Sequence, residues 1–190
     1  MEKRIIFATG NEGKMREVRM ILEDLEVPVV SMKEAGGSAD IEENGTTFEE
    51  NAVIKARSVM ELTGEMAMAD DSGLEIDYLD GAPGIYSARF MGEDTSYDIK
   101  NAALIEKLAG VPDEKRTARF VCAIACVMPD GTTLTSRGTM EGIFPFPQQK
   151  PGRFDMYFRF HRFRTSNPPE KGCQRSYQLL YRAIRPDDIL

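Results

Sequence analysis

At 190 residues and 42% hydrophobic, the chain is long enough for one well-buried core and too short for two ordinary domains. Its net charge of −7 argues against broad, sequence-independent binding to nucleic-acid phosphates. No stretch approaches the roughly 18 apolar residues needed to span a bilayer, and Met1–Arg4 run into a strand-like segment without a signal-peptide core.

In chain order, Arg4 to Ala8 form a short apolar run ending in Thr9-Gly10-Asn11, which predicts a buried strand followed by a loop. From Lys14 to about Glu26 apolar residues recur at Met15, Val18, Ile21, Leu22 and Leu25, a helical spacing, and Val27 to Val30 predict the next strand. Thr47-Phe48-Glu49-Glu50 fits a capping box, opening a helix whose apolar face is Phe48, Ala52, Ala56, Val59 and Met60. Met66 to Ala69 predict a short strand ending on Asp70-Asp71-Ser72-Gly73, and Leu74, Ile76 and Tyr78 alternate as in a second, half-buried strand. A turn at Gly81-Ala82-Pro83-Gly84 precedes a helix over Ile99 to Leu108. Phe120 to Met128 is the strongest strand, answered across Pro129-Asp130-Gly131 by Thr132 to Ser136. Strands alternating with helices and closing on an antiparallel hairpin define an α/β class with a mixed sheet. Cys122, Cys126 and Cys173 have no metal-ligand spacing; the first two lie in an apolar run and are expected as buried free thiols, which fits a reducing cytoplasm.

Three segments carry candidate chemistry. Thr9-Gly10-Asn11-Glu12-Gly13-Lys14 sits between a strand and a helix, where glycines admit a close ligand, helix N–H groups face it, and Lys14 adds a charge for a phosphate. The alternative is a tight turn with a solvated lysine. Asp70-Asp71 places two carboxylates at a strand end, where α/β sheets hold ligands; adjacent carboxylates repel unless solvated or bridged, so a magnesium ion is a natural occupant. A solvated acidic turn is the alternative there. Glu43, in Glu42-Glu43-Asn44-Gly45, can bring a second carboxylate to that metal or simply complement a helix dipole. Lys55, Arg57 and Arg89 are either phosphate contacts or solvated cations. His161 is the only histidine and Ser72 has no nearby triad partner, so carboxylates, lysines and a metal fit better than covalent acyl transfer.

Taken in order, Thr9 to Lys14, Glu43 to Ala52 with Lys55-Ala56, Ala69 to Leu74, and Gly81 to Phe90 resemble successive motifs of the inosine/xanthosine triphosphate pyrophosphatases over residues 3–143. The resemblance implies a two-lobed, elongated α/β fold, commonly a homodimer, and hydrolysis of non-canonical purine nucleoside triphosphates to a monophosphate and pyrophosphate. It also implies that Asp71 is the catalytic carboxylate and a Mg2+ ligand with Glu43. Thr9, Gly10, Asn11, Glu12, Gly13, Lys14, Lys55 and Ser72 would hold the triphosphate.

The pattern changes after Ile143. Residues 1–143 carry 15 basic and 27 acidic side chains, residues 144–190 carry 9 and 4, and periodicity fades apart from a possible helix over Tyr177 to Ile184. The family's Gly-Phe-Gly-Tyr-Asp-Pro and Ser-His-Arg-Gly motifs do not follow; Gly152 to Met156 and Gln174 to Tyr177 stand in their region. The expectation is a single domain over residues 1–190 whose atypical tail, from 144, arises by a reading-frame shift near Phe144. A basic tail that binds an acidic partner, or a nucleotide-binding chain that has lost its purine pocket and turns over weakly or not at all, is the alternative. Translating the coding DNA beyond residue 143 in its other two frames should yield Phe-Gly-Tyr-Asp and Ser-His-Arg. Neither frame giving them would end the frame-shift reading.

Overall fold

Ile5–Phe7 forms strand β1, its three side chains fully buried, and its short apolar run leaves room for nothing but a strand. The computed structural model describes residues 4–23, 27–37 and 41–144, and the backbone of 159–160. The remaining elements are α1 (Glu12–Ile21), β2 (Val29–Ser31), α2 (Phe48–Thr63), β3 (Ala67–Ile76), α3 (Tyr97–Lys107), β4 (Thr117–Val127), β5 (Thr133–Ile143) and β6 (Arg159–Phe160). They form a mixed sheet in the order β2-β1-β3-β4-β5-β6. β1 is parallel to β2, with Ile5 opposite Val29, and parallel to β3, with Phe7 opposite Met68. β4 and β5 are joined by a tight hairpin in which the Met128 N–H donates to the Thr132 carbonyl at 2.9 Å; a connection that short can join only antiparallel neighbours.

Two compact units divide the chain. The first takes the described residues up to Asp71 and Cys122–Gly138; the second takes Ser72–Val121 and the described residues from Thr139. In the first, α1 lays Met15, Val18 and Leu22 on one face of the sheet, against Ile5, Phe7, Met68, Ile124 and Cys126. On the other face α2 sets Ala52 and Ala56 against Ala69 and Ala125, and Val59 against Ile6 and Ala67. Cys122 and Cys126 are buried free thiols, as their apolar run suggests. Burial pushes the Cys126 thiol up to about 12. The second unit has its own core of Leu74, Ile76, Leu104, Leu108, Ala118 and Phe144.

The structure departs from the sequence reading at several places, among them Tyr78, which lies exposed on a 3-10 turn and not in a half-buried strand. α1 runs from Glu12 to Ile21 rather than Lys14 to Glu26; Leu22 continues the apolar period because it packs in the same core from the C-cap position. The two short strands expected on either side of Asp70-Asp71-Ser72-Gly73 are one ten-residue strand, β3. The hairpin's second strand continues to Ile143. At the start of α2, Thr47 Oγ1 accepts the Glu50 N–H at 3.1 Å as a capping box requires, but the Glu50 carboxylate chiefly accepts from Thr46, both N–H (2.6 Å) and hydroxyl (2.7 Å). α2 ends at Gly64, whose φ of 70° is the left-handed C-cap conformation that glycine reaches without strain.

Among the described residues, no helix is long and apolar enough to cross a membrane. The atypical tail, the helix over Tyr177 to Ile184, Cys173 and the frame shift fall outside the described residues. The exceptions are Phe144, which is buried, and Arg159–Phe160, whose backbone pairs antiparallel with Gly142–Ile143.

Candidate active site

The expected phosphate loop leaves the carboxyl end of β1. The Ala8 N–H is the last contact to β3, donating to the Met68 carbonyl at 2.7 Å, and Gly10, Asn11 and Glu12 are then exposed to solvent. Thr9 Oγ1 accepts the Asn11 N–H at 3.2 Å, and Asn11 Oδ1 caps α1 by accepting the N–H groups of Gly13 (2.8 Å) and Lys14 (3.2 Å). Two of the helix-start donors that the sequence reading assigned to a ligand are therefore already used by Asn11. Gly13 fits that role too, since a Cβ there would sit 3.0 Å from Asn11 Oδ1, whereas Gly10 opens onto empty space. The exposed Glu12 carboxylate complements the helix dipole, so only its backbone N–H suits an anion.

Asp70 and Asp71 do not form one acidic turn at a strand end. They lie in the middle of β3, just past the point where parallel β1 stops, and the pleat sends successive side chains to opposite faces. Both are buried, at 4% and 8% exposure. Asp70 is on the α1 side, where Lys14 Nζ meets its Oδ2 at 2.7 Å. Asp71 is on the α2 side, where Lys55 Nζ lies 3.4 Å from Oδ1 and Asn51 Nδ2 donates to Oδ2 at 3.2 Å. Mutual repulsion between neighbours is thus relieved by the pleat and by one lysine each. Lys55 Nζ also meets Glu43 Oε1 at 3.1 Å. The loop before α2 and the middle of β3 consequently present two carboxylates to one ammonium group. Lys14 of α1 and Lys55 of α2 thus contact two successive residues of one strand.

Glu43 and Asp71 fit a magnesium ion in donor type: both are hard oxygen ligands, they already converge on a single cationic group, and one or two carboxylates suffice for a metal that keeps waters or takes substrate oxygens. Among the described residues, no group of three His, Cys, Asp or Glu side chains competes for it. Burial raises the Asp71 pKa above its ordinary value, and Glu43 adds to the rise, while Lys55 and Asn51 oppose it. A carboxyl pushed upward is a stronger proton acceptor once ionised.

Of the other residues singled out, Ser72 is half-buried on the next position of β3, turned by the pleat to the face opposite Asp71. Arg57 is exposed and donates to Thr133 Oγ1 at 3.3 Å, so Lys55 is the α2 cation at the site. Arg89 stacks over the Tyr86 ring at 5.8 Å. Asn51 was not anticipated. It is fully buried, one helical turn before Lys55, on a face otherwise made of Phe48, Ala52, Ala56 and Val59. The available signal was that polar intrusion, since a buried amide must find partners.

The fold and these groups define an α/β protein with basic and acidic side chains gathered at the carboxyl edge of β1. Residues 5–169 match the model of the Ham1 family. A protein named dITP/XTP pyrophosphatase from Exiguobacterium sibiricum is 50% identical over 151 residues, covering 80% of this chain and 76% of the relative. Another of that name from Desulforamulus reducens is 48% identical over 140 residues, 74% of this chain and 70% of its own. Among solved structures, a HAM1 protein from Coxiella burnetii superposes with a TM-score of 0.81 at 31% identity, over 96% of this chain and 98% of that one. The Staphylococcus aureus Ham1 protein gives 0.79 at 32%, over 96% and 97%. The chain belongs to the Ham1 family.

Because the folded pKa of Asp71 lies above its unfolded value, the folded state binds the extra proton between the two. The charge on Asp71 therefore weakens the fold at neutral pH, and that penalty vanishes as pH falls through the raised folded pKa. Urea unfolding of the protein and of Asp71→Asn, compared from pH 7 down to pH 4, should show the parent gaining stability relative to the variant. A difference that does not change with pH would mean that Asp71 titrates as an ordinary carboxyl.

Proposed function

We propose that this chain hydrolyses non-canonical purine nucleoside triphosphates, deoxyinosine and xanthosine triphosphates among them, to the monophosphate and pyrophosphate. The observation that carries the proposal is the pair of lysine–carboxylate contacts on successive β3 residues, beside an open loop at the carboxyl edge of β1, in a chain half identical to a dITP/XTP pyrophosphatase. The alternative, a nucleotide-binding chain without turnover, is less favoured because the relatives at about 50% identity are named as pyrophosphatases.

In this proposal the Thr9 to Lys14 loop, with Ser72, receives the triphosphate, Lys14 supplying charge and the loop its remaining backbone N–H groups. Asp71 orients a water toward the α-phosphorus and takes its proton, its raised pKa suiting that task. The bond from that phosphorus to the bridging oxygen breaks and pyrophosphate leaves, with Lys55 beside the developing charge. Mg2+ held by Asp71 and Glu43 would neutralise phosphate oxygens and lower the pKa of the attacking water. The enzyme is proposed to act as a homodimer on the cytoplasmic nucleotide pool, with no nucleic-acid or membrane partner.

Incubation with inosine triphosphate and Mg2+ should release pyrophosphate, and omission of Mg2+ should abolish release. Asp71→Asn should lower turnover by well over tenfold, a loss of several kcal/mol of transition-state stabilisation, while remaining folded. Stoichiometric orthophosphate with a nucleoside diphosphate would overturn the reaction assigned. Lys14→Ala should raise KM for the triphosphate with a smaller effect on kcat. An unchanged KM would show that the contact with Asp70 is the whole role of Lys14.

A further inference from the structure

Asn51 makes two hydrogen bonds that join the two halves of the proposed metal site. Its Nδ2 donates to Asp71 Oδ2 at 3.2 Å, and its Oδ1 accepts the Gly45 N–H at 2.9 Å. The orientation of the amide is fixed by chemistry: a backbone N–H can only donate and an ionised carboxylate can only accept. Gly45 is two residues from Glu43, so one buried side chain ties the Glu43 loop to the β3 carboxylate. A Cβ on Gly45 would lie 2.7 Å from Asn51 Oδ1 and 2.8 Å from Glu50 Cβ. The loop therefore seats closely on Asn51, and glycine is what permits it. A second tie between the two carboxylates is Lys55, which bridges Glu43 and Asp71 through charge. Lys55 has a long, flexible stem, whereas Asn51 is short and fully enclosed, so it is the part that sets a distance.

We propose that Asn51 is a positioning residue that fixes the spacing of Glu43 and Asp71, and with it the affinity of the site for a divalent cation. The proposal rests on the functional reading above. Fully buried, Asn51 acts through the loop and through Asp71. Groups that orient ligands from behind are worth about tenfold to a hundredfold in metal affinity or activity.

Two variants test this from opposite sides. Asn51→Ala removes both bonds, and Gly45→Ala pushes the loop off an intact Asn51. Each should weaken binding of Mn2+ alone, followed by electron paramagnetic resonance without nucleotide, by about tenfold or more. Each should likewise raise the Mg2+ concentration for half-maximal pyrophosphate release, with KM at saturating metal little changed. The double variant should lose little beyond the worse single one, because both break the same contact. Urea unfolding of each variant measures any loss of stability. A variant that is merely less stable will lower the active fraction yet keep the parent's Mn2+ affinity and Mg2+ response, and that result in both variants overturns the inference. If instead the parent releases no pyrophosphate under any metal condition, the functional reading fails. Mn2+ binding by the variants then still decides whether Asn51 sets the site.

Discussion

The constraint on which the first unit depends is the buried charge of Asp71. An ionised carboxylate removed from water in the middle of a strand is strongly unfavourable unless its oxygens are compensated. α2 compensates both from a single face: Asn51 and Lys55 are one turn apart and take one oxygen each. Reaching a strand with a side chain as short as asparagine requires the helix to lie close to the sheet. Ala52 and Ala56 against Ala69 and Ala125 supply that closeness. The alanine layer is therefore not a weak core but the spacer that lets a polar clamp form. Larger side chains in it would lift Asn51 away from Asp71 and leave a buried charge half satisfied.

The pleat of β3 divides the labour. Two adjacent acidic residues become two separate devices because their side chains leave on opposite faces, one toward α1 and one toward α2. Asp70 is the more buried, and its lysine comes from the first turn of α1, so its contact fixes where Lys14 points. Asp71 shares its lysine with Glu43, giving a carboxylate–ammonium–carboxylate arrangement suited to hard oxygen coordination. The short β1 matters for the same reason. By stopping at Phe7 it exposes the edge on which both devices sit, as α/β sheets do where they bind ligands.

Much of this was legible in the sequence, and the omissions have physical causes. The apolar run of β1, the cap at Thr47 and the apolar run of β4 are local signals, and each element forms at its expected place, β4 starting three residues early at Thr117. Asp-Asp-Ser-Gly reads as a break because those residue types favour turns, but β3, with β4 as its other neighbour, runs straight through it. With the break removed, the two aspartates separate by face, a consequence that spacing alone does not give. Asn11 has the composition of a ligand loop and serves first as a cap. Asn51 stands inside a recognisable motif, yet nothing in a linear pattern tells which polar residue on an apolar face has found partners in a loop six residues back and a strand twenty residues on.

A second charged cluster has the opposite electrostatic sign to Asp71. In the second unit Arg119 meets Glu75, Asp77 and Glu141 across neighbouring strands, with Asp77 also accepting from the Thr117 hydroxyl. There the shift has the stabilising sign: the Thr117 hydroxyl, and then Arg119, hold Asp77 below its ordinary pKa, so the charged form favours the fold. At Asp71 the sign is reversed. Burial outweighs Lys55 and Asn51, and the charged form opposes the fold at neutral pH. That reversed sign accords with the role proposed for Asp71, since perturbed carboxyls gather at functional sites. Each cluster sets carboxylates against one cation and one neutral hydrogen-bond donor, and the two differ in the balance between desolvation and compensation at the aspartate.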